Sequence, residues 1–398
     1  MIPRKRPAFR SLDLWRGIAA LWVVAVHACL PYLLSVAPSL MRNPVYRVSV
    51  SGPLGVVLFF VISGYCIVGA AYNSTVADRP VRAFAFDQIR RIFPPYWAAL
   101  ALAIATIDFS QFLQRNHILP GTAVVQKPET VWFWTTNVFL VQIPAGYASA
   151  MLVAWTLSYE IAFYAVVGSW LAIARRLAPD NVDRRVMWLA TGLGTTTLVS
   201  AAWMAFFPRS CPFPLTLWYQ FGLGSWLFFL VVANDPTAGW LHARRGWIRA
   251  LVPPIAILSL MVAGEEDAVG KESLVWLGHP SLRIQSIAAV LFAVVLFAQQ
   301  PFDRTVAGWR FAKPLAWIGG FSYSLYLTHV TVLPFVDGAL RRCGFHGAAY
   351  LVTFAAQILA SVAVAWVFHR LVERRFLGPA SRGRSAADPA AEGPMRGI

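Results

Sequence analysis

Residues 12–34 read LDLWRGIAALWVVAVHACLPYLL, and the fold follows from where such a run can be housed. A helix over this stretch is about 34 Å long, enough to cross the ~30 Å hydrocarbon core of a bilayer. Asp13, Arg16 and His27 interrupt it, whereas the core of a signal peptide stays apolar. The run is therefore read as an uncleaved first transmembrane helix behind a basic N-terminus, residues 1–11.

Working outward, further apolar stretches long enough to span fall near 53–72, 93–109, 151–173, 186–207, 214–233, 249–264, 284–300, 315–336 and 349–369. Composition agrees: the 398 residues are 58% hydrophobic and only 13% charged, against roughly 25% charged in soluble domains. The 17 tryptophans suit helix ends in the headgroup region. The expectation is an all-α polytopic membrane protein with about ten transmembrane helices. No fixed-period repeat divides it, so 12–376 form one membrane domain, followed by a disordered arginine-containing tail at 377–398.

The net charge of +16 would point a soluble protein toward nucleic acid. Here the cations cluster between apolar runs, so they read as topology signals and no nucleic acid is expected. With the N-terminus inside, 24 of the 34 lysines and arginines fall in inner segments and 9 in outer ones. Both termini are thus expected to be cytoplasmic, with the lipid bilayer as partner and no obligate protein partner evident. The segment 110–150 is the longest outer connection, and within it 131–141 is too short to span, reading as re-entrant or interfacial. Cys29, Cys66, Cys211 and Cys343 lack paired metal spacing, so no metal is expected. Cys211 and Cys343, both in outer connections, are candidates for one disulfide.

Charged groups within a bilayer need a partner or a task. Arg16 and His27 are three helical turns and about 20° apart, hence on one face and about 16 Å apart along the axis. Asp13 lies one turn before Arg16 and can pair with it. Ser158 and Glu160 occupy WTLSYE, with Glu160 about 13 Å below the outer surface, and SYSLYLTH carries Ser322, Tyr323, Ser324 and, about 22 Å from the inner end, His329. His27, Glu160 and His329 are thus expected at similar depths, lining a cavity or an interhelical network. At the inner edge, Arg90 and Arg91 precede Pro94, Pro95 and Tyr96, with the prolines starting the third helix. Guanidinium groups there suit phosphate. Intramembrane His, Glu and Arg also build transporters and flippases, the alternative reading, although no inverted repeat supports it.

These residues resemble the acyltransferase 3 family of membrane acyltransferases. The motifs stand in order: Leu-Asp13-Leu-Trp-Arg16-Gly with His27 beyond it, Gly55-Val-Val-Leu-Phe-Phe-Val-Ile-Ser63-Gly64-Tyr65, Arg90-Arg91-Ile-Phe-Pro-Pro-Tyr96-Trp, Trp155-Thr-Leu-Ser158-Tyr-Glu160, and Ser322-Tyr323-Ser324-Leu-Tyr-Leu-Thr-His329. The resemblance covers the chain from Leu12 to about Phe376. It is to the stand-alone form, without an appended extracytoplasmic hydrolase domain.

The resemblance implies an O-acyltransferase of the bacterial cytoplasmic membrane. Its donor would be acetyl-CoA or another acyl-CoA, used as a substrate with no tightly bound cofactor. Its acceptor would be a hydroxyl of a carbohydrate or similar envelope or exported molecule. It makes His27 the main catalytic residue, and a neutral imidazole is suited to deprotonating a hydroxyl near pH 7. Glu160 is the candidate to orient or charge-stabilise that imidazole, and Ser158 to donate to the substrate carbonyl. Arg16, Arg90, Arg91 and Tyr96 are the candidate CoA-binding residues. Asp13, Ser63, Tyr323, Ser324 and His329 complete the intramembrane polar set. An acyl-enzyme would need Ser158, Tyr323 or Ser324, and direct transfer needs fewer assumptions. The acidic residue that follows the family's last helix corresponds to Glu373, which is given no catalytic role.

Overall fold

The computed structural model describes residues 9–33, 44–116, 130–235, 240–261, 282–344 and 350–377. The expected tail beyond Leu377 and most of the N-terminal basic segment lie outside these residues. So do large parts of the outer connections.

The described residues are helical and contain no strand. The helices that organise the molecule are α1 (Leu12–Leu33), α2 (Leu54–Val76), α3 (Val81–Arg115), α4 (Trp155–Leu177) and α5 (Val182–Phe206). They continue as α6 (Leu215–Asn234), α7 (Leu282–Gln299), α8 (Ala312–Gly319), α9 (Ser322–Arg342) and α10 (Tyr350–Phe368). Among the described residues, eight helical segments are long and apolar enough to cross a membrane, so the chain is an integral membrane protein. Two expected spans fall outside that set for different reasons. The stretch 249–264 is represented by the ten-residue helix Val252–Met261. The stretch 315–336 breaks between α8 and α9, and α9 is too polar to qualify. It is tolerated because its residues from Ser322 to His329, apart from Tyr323, are buried in protein.

The third span also departs from expectation. Pro94 and Pro95 sit inside α3, which starts at Val81. Arg82, Asp87, Arg90 and Arg91 occupy its first turns, so a reading by apolarity begins the helix only where the charges stop.

Two of the close crossings among the described residues are reciprocal, with a glycine on each helix. A Cβ added at Gly64 would collide with the Phe221 carbonyl, and one at Gly224 with that of Val61, so α2 and α6 meet backbone to backbone. Gly17 and Gly319 do the same for α1 and α8, against Leu315 and Asp13. In lipid, where association rests on close packing, such small-residue contacts supply much of the attraction. Gly64→Val is expected to destabilise the bundle by about 3 kcal/mol or more, as overpacking that backbone cannot relieve. A lowered unfolding midpoint in detergent checks this, with Gly246→Val, at a site with open space around it, as the control.

Ties between distant loops fix which helix ends share a side. The Ser11 amide and hydroxyl donate to Asp303 at 2.8 and 2.7 Å, Arg90 Nε donates to the Phe376 carbonyl at 3.1 Å, and Arg175 and Arg185 donate to Asp78 at 2.8 and 2.5 Å. All of these belong to segments expected inside. Asp78 sits at φ 52°, and its hydrogen bond from the Arg185 guanidinium holds its carboxyl below the usual carboxylate range. Arg185, expected only as a topology signal, is buried and also donates to the carbonyls of Ala178 and Pro179.

Further along α3, Tyr96 donates to the Asn137 carbonyl at 2.9 Å and Trp97 to that of Val138. The short helix Val131–Val138 is thereby docked onto α3, in keeping with a re-entrant or interfacial piece. Asn137 is fully buried and stapled to Phe133, Ala148 and Ala150. The disulfide expectation fails, since Cys211 and Cys343 are both free thiols. Cys211 instead packs beside Met204 and Tyr219, where burial pushes its thiol up to about 11.

Candidate active site

The polar residues of the bundle fall into two layers. In the outer layer α1 and α9 place His27 and His329 side by side, His329 Nε2 lying 3.0 Å from His27 Nδ1 with ring centroids 4.9 Å apart. Each ring is also tied to its own helix. His27 Nδ1 is 2.9 Å from the Val23 carbonyl, and His329 Nδ1 is 2.9 Å from that of Leu325. His329 is fully buried. His27 is half-buried and lines a cleft with Val26, Pro53, Leu152, Trp155 and Tyr326. The Tyr326 hydroxyl closes the layer from below, 2.7 Å from Thr156 Oγ1 and 3.1 Å from the Val153 carbonyl.

The inner layer collects the ions. Tyr164 donates to Glu160 at 2.5 Å. Arg91 interacts electrostatically with Tyr164, Glu160 and Glu373, and Arg16 reaches Tyr164 in the same way. Ser324 donates to Glu373 at 2.5 Å, and His369 Nδ1 lies 2.8 Å from the same oxygen. His369 to Glu373 form a π-helical turn at the end of α10, a departure from α geometry that is frequent at functional sites. Tyr323 donates to the Ile92 carbonyl at 2.9 Å. Ser324 and His329 are five residues apart on α9, which separates the layers by about 7.5 Å.

The structure thus unites His27 with His329 and moves Glu160 elsewhere. Counting depth from Met151 as the outer edge puts Glu160 beside the imidazole, but Met151 is itself buried within the bundle. In the structure α4 begins only at Trp155, residues 151–154 form a turn packed into the bundle, and Thr156 takes the level of Tyr326. Glu160 is then one turn further in. Ser158 is also not brought to the histidines. Two residues from Thr156 on a helix, it projects about 200° around from the face turned to Tyr326. Its buried Oγ has no hydrogen-bond partner among the described residues.

Of the candidate anion-binding residues, Arg16 pairs with Asp13 at 3.6 Å and stays partly exposed. Arg90 donates to the Phe376 carbonyl at the end of the last described helix, and Arg91 interacts electrostatically with the inner carboxylates. Tyr96 is fully buried and its hydroxyl is committed to the Asn137 carbonyl, which removes it from a phosphate site. Ser63 is half-buried and, among the described residues, takes no hydrogen bond in either layer.

Both His369, which sequence reasoning missed, and Glu373, which it named without giving a catalytic role, are buried in this layer. Their signal was present as two ionisable side chains one turn apart at the end of an apolar helix. Among the described residues no group of three or more His, Cys, Asp or Glu could hold a metal.

Comparison with known proteins bears on what this arrangement does. A family described as an acyltransferase domain matches residues 9–370. The exopolysaccharide production protein ExoZ of Rhizobium meliloti is 26% identical over 84% of this chain and 91% of its own length. The acyltransferase MdmB of Streptomyces mycarofaciens is 25% identical over 96% of each. The peptidoglycan O-acetyltransferase OatA of Listeria monocytogenes is 23% identical over 83% of this chain and 50% of its own. No solved structure matches.

Proposed function

The chain belongs to the acyltransferase 3 family, as an integral membrane enzyme that transfers acyl groups, and from that premise we propose that it moves acetyl from acetyl-CoA to a hydroxyl of an envelope saccharide. The observation that carries the reading is the half-buried His27 imidazole, fixed at Nδ1 and facing a cleft inside the bundle. The hydroxyl loses its proton to His27 as its oxygen attacks the thioester carbonyl. The C–S bond then breaks, and the CoA thiolate takes the proton from the imidazolium. The saccharide acceptor is supported by the glycan named in the relatives ExoZ and OatA.

The excess of cations in the segments joined by Ser11–Asp303, Asp78–Arg185 and Arg90–Phe376 supports a cytoplasmic position for that face and for both termini. The enzyme would lie in the bacterial cytoplasmic membrane. CoA would enter from that face, with Arg16 and Arg90 on its phosphates and about 16 Å of helix between Arg16 and His27 for the pantetheine arm.

The test is transfer of labelled acetyl from acetyl-CoA by the purified protein in lipid vesicles to saccharide, read by mass spectrometry. Saturable acetyl-CoA binding without any acetylated product from a panel of glycans would sink the saccharide acceptor. Arg16→Gln is expected to raise the KM for acetyl-CoA about tenfold with kcat within about twofold, as loss of one charge-assisted phosphate contact. An unchanged KM would make Arg16 a partner of Asp13 alone.

A further inference from the structure

Proton placement in the outer layer can be read from the hydrogen bonds. A backbone carbonyl only accepts, so His329 Nδ1, 2.9 Å from the Leu325 oxygen, carries the hydrogen. In the neutral ring that leaves the lone pair on Nε2, which faces His27 Nδ1 at 3.0 Å. His27 Nδ1 must then carry a hydrogen, and the Val23 carbonyl at 2.9 Å requires the same. The order from the core outward is Leu325 carbonyl, His329, His27. The basic nitrogen of His27 is therefore Nε2.

We propose that His329 is the positioning residue of the catalytic base: its Nε2 accepts from His27 Nδ1, fixes the tautomer that makes His27 Nε2 basic, and shares the proton when His27 becomes charged. This inference rests on His27 being the base. It assigns to a buried neutral imidazole the part that sequence reasoning gave to Glu160, which lies a turn away with Tyr164 and Arg91. The chemistry favours such a partner in a membrane, because a carboxylate would have to be kept ionised there in every resting cycle. An imidazole carries charge only when His27 passes it on. As the acceptor hydroxyl gives its proton to His27 Nε2, the hydrogen on Nδ1 moves toward His329 Nε2, so the positive charge spreads over two rings. It returns as His27 Nε2 protonates the departing thiolate, and no proton is left behind. The Val23 carbonyl alone can hold the tautomer, but it cannot take the proton.

Three variants in vesicles, with His27→Ala beside them, test this. A glutamine amide oxygen reaches about as far as Nε2 and accepts, an asparagine reaches only as far as Nδ1, and phenylalanine fills the site without accepting. His329→Phe and His329→Asn are expected to lower kcat about 100-fold with the KM for acetyl-CoA within about twofold, while His329→Gln stays within about tenfold of the parent. Equal activity of the Gln and Asn variants, or a Phe variant within about threefold of the parent, overturns the assignment. So does loss of monodisperse protein in all three, since the proposal asks nothing of His329 that glutamine fails to supply. Transfer surviving in His27→Ala would instead overturn the base itself, whatever the His329 variants do.

Discussion

His27→Ala lowers kcat by at least about 100-fold, the expected range for loss of a general base, and leaves the protein folded. The two parts of this outcome have separate causes. The imidazole is half-buried beside a cleft, so truncation opens space at an existing cavity and does not carve one out of the core. The helix around it keeps its packing. Ala20 and Val24 remain against Phe321, Leu325 and Ala365, and the crossing at Gly17 and Gly319 is two turns or more away. What is lost is, among the described residues lining the cleft, the only group that can take a hydroxyl proton near neutral pH. Of the other polar side chains there, Trp155 offers only an N–H donor and Tyr326 has its hydroxyl bound to Thr156 and Val153. Acetyl transfer and size-exclusion behaviour measured on the same preparation separate the two. A variant that keeps its elution profile and also keeps more than about a tenth of its activity would remove His27 from the mechanism.

What could be read from the sequence was whatever depends on a single helix. The run at 12–34 gave a span with Asp13, Arg16 and His27 at known spacing, and both the Asp13–Arg16 pair and the half-buried imidazole are present. The positive bias sorted the loops into two sides, and the ties at Asp303, Asp78 and Phe376 join segments assigned to one side.

What could not be read was register between helices, because depth counted from an apolar boundary carries the error of that boundary. Residues 151–154 enter the bundle as a turn with Met151, Val153 and Ala154 buried, so α4 starts below the outer edge and Glu160 lies a full turn, about 6 Å, inward of Thr156. That distance decides whether Glu160 meets an imidazole or a guanidinium. Charged helical extensions hide in the same way, as at the start of α3, and Tyr96 was grouped with Arg91 through sequence proximity although its hydroxyl serves Asn137. Glu373 was given no catalytic role for the opposite reason. A carboxylate at a helix end has a bland interfacial explanation until the fold turns Ser324 and His369 onto it.

The inner layer yields the second large effect. Arg91→Gln is expected to cost about 2 kcal/mol of stability, the size of a through-space attraction between charges at an effective dielectric constant of about 20, since the half-buried Arg91 makes no ion pair within 4 Å among the described residues. The argument is one of charge. Glu160 and Glu373 approach from α4 and from the turn after α10, and Arg91 interacts with both. Their hydrogen bonds from Tyr164, Ser324 and His369 solvate them but bring no fixed positive charge. Arg16 reaches Tyr164 from α1 and already has Asp13, so it does not replace Arg91. Removing Arg91 leaves two carboxylates in a poorly solvated site, and removing one carboxylate as well relieves part of the penalty. The double variant Arg91→Gln with Glu160→Gln is therefore expected to recover about 1 kcal/mol relative to Arg91→Gln, a coupling carried through space between two charges in one poorly solvated site. Denaturant unfolding of the four proteins closes the cycle. Additive losses would mean that Arg91 is a topology anchor at the membrane edge. A raised KM for acetyl-CoA with unchanged stability would mean that it holds phosphate as Arg16 is proposed to do, and the inner carboxylates would then have to find their counter-charge elsewhere.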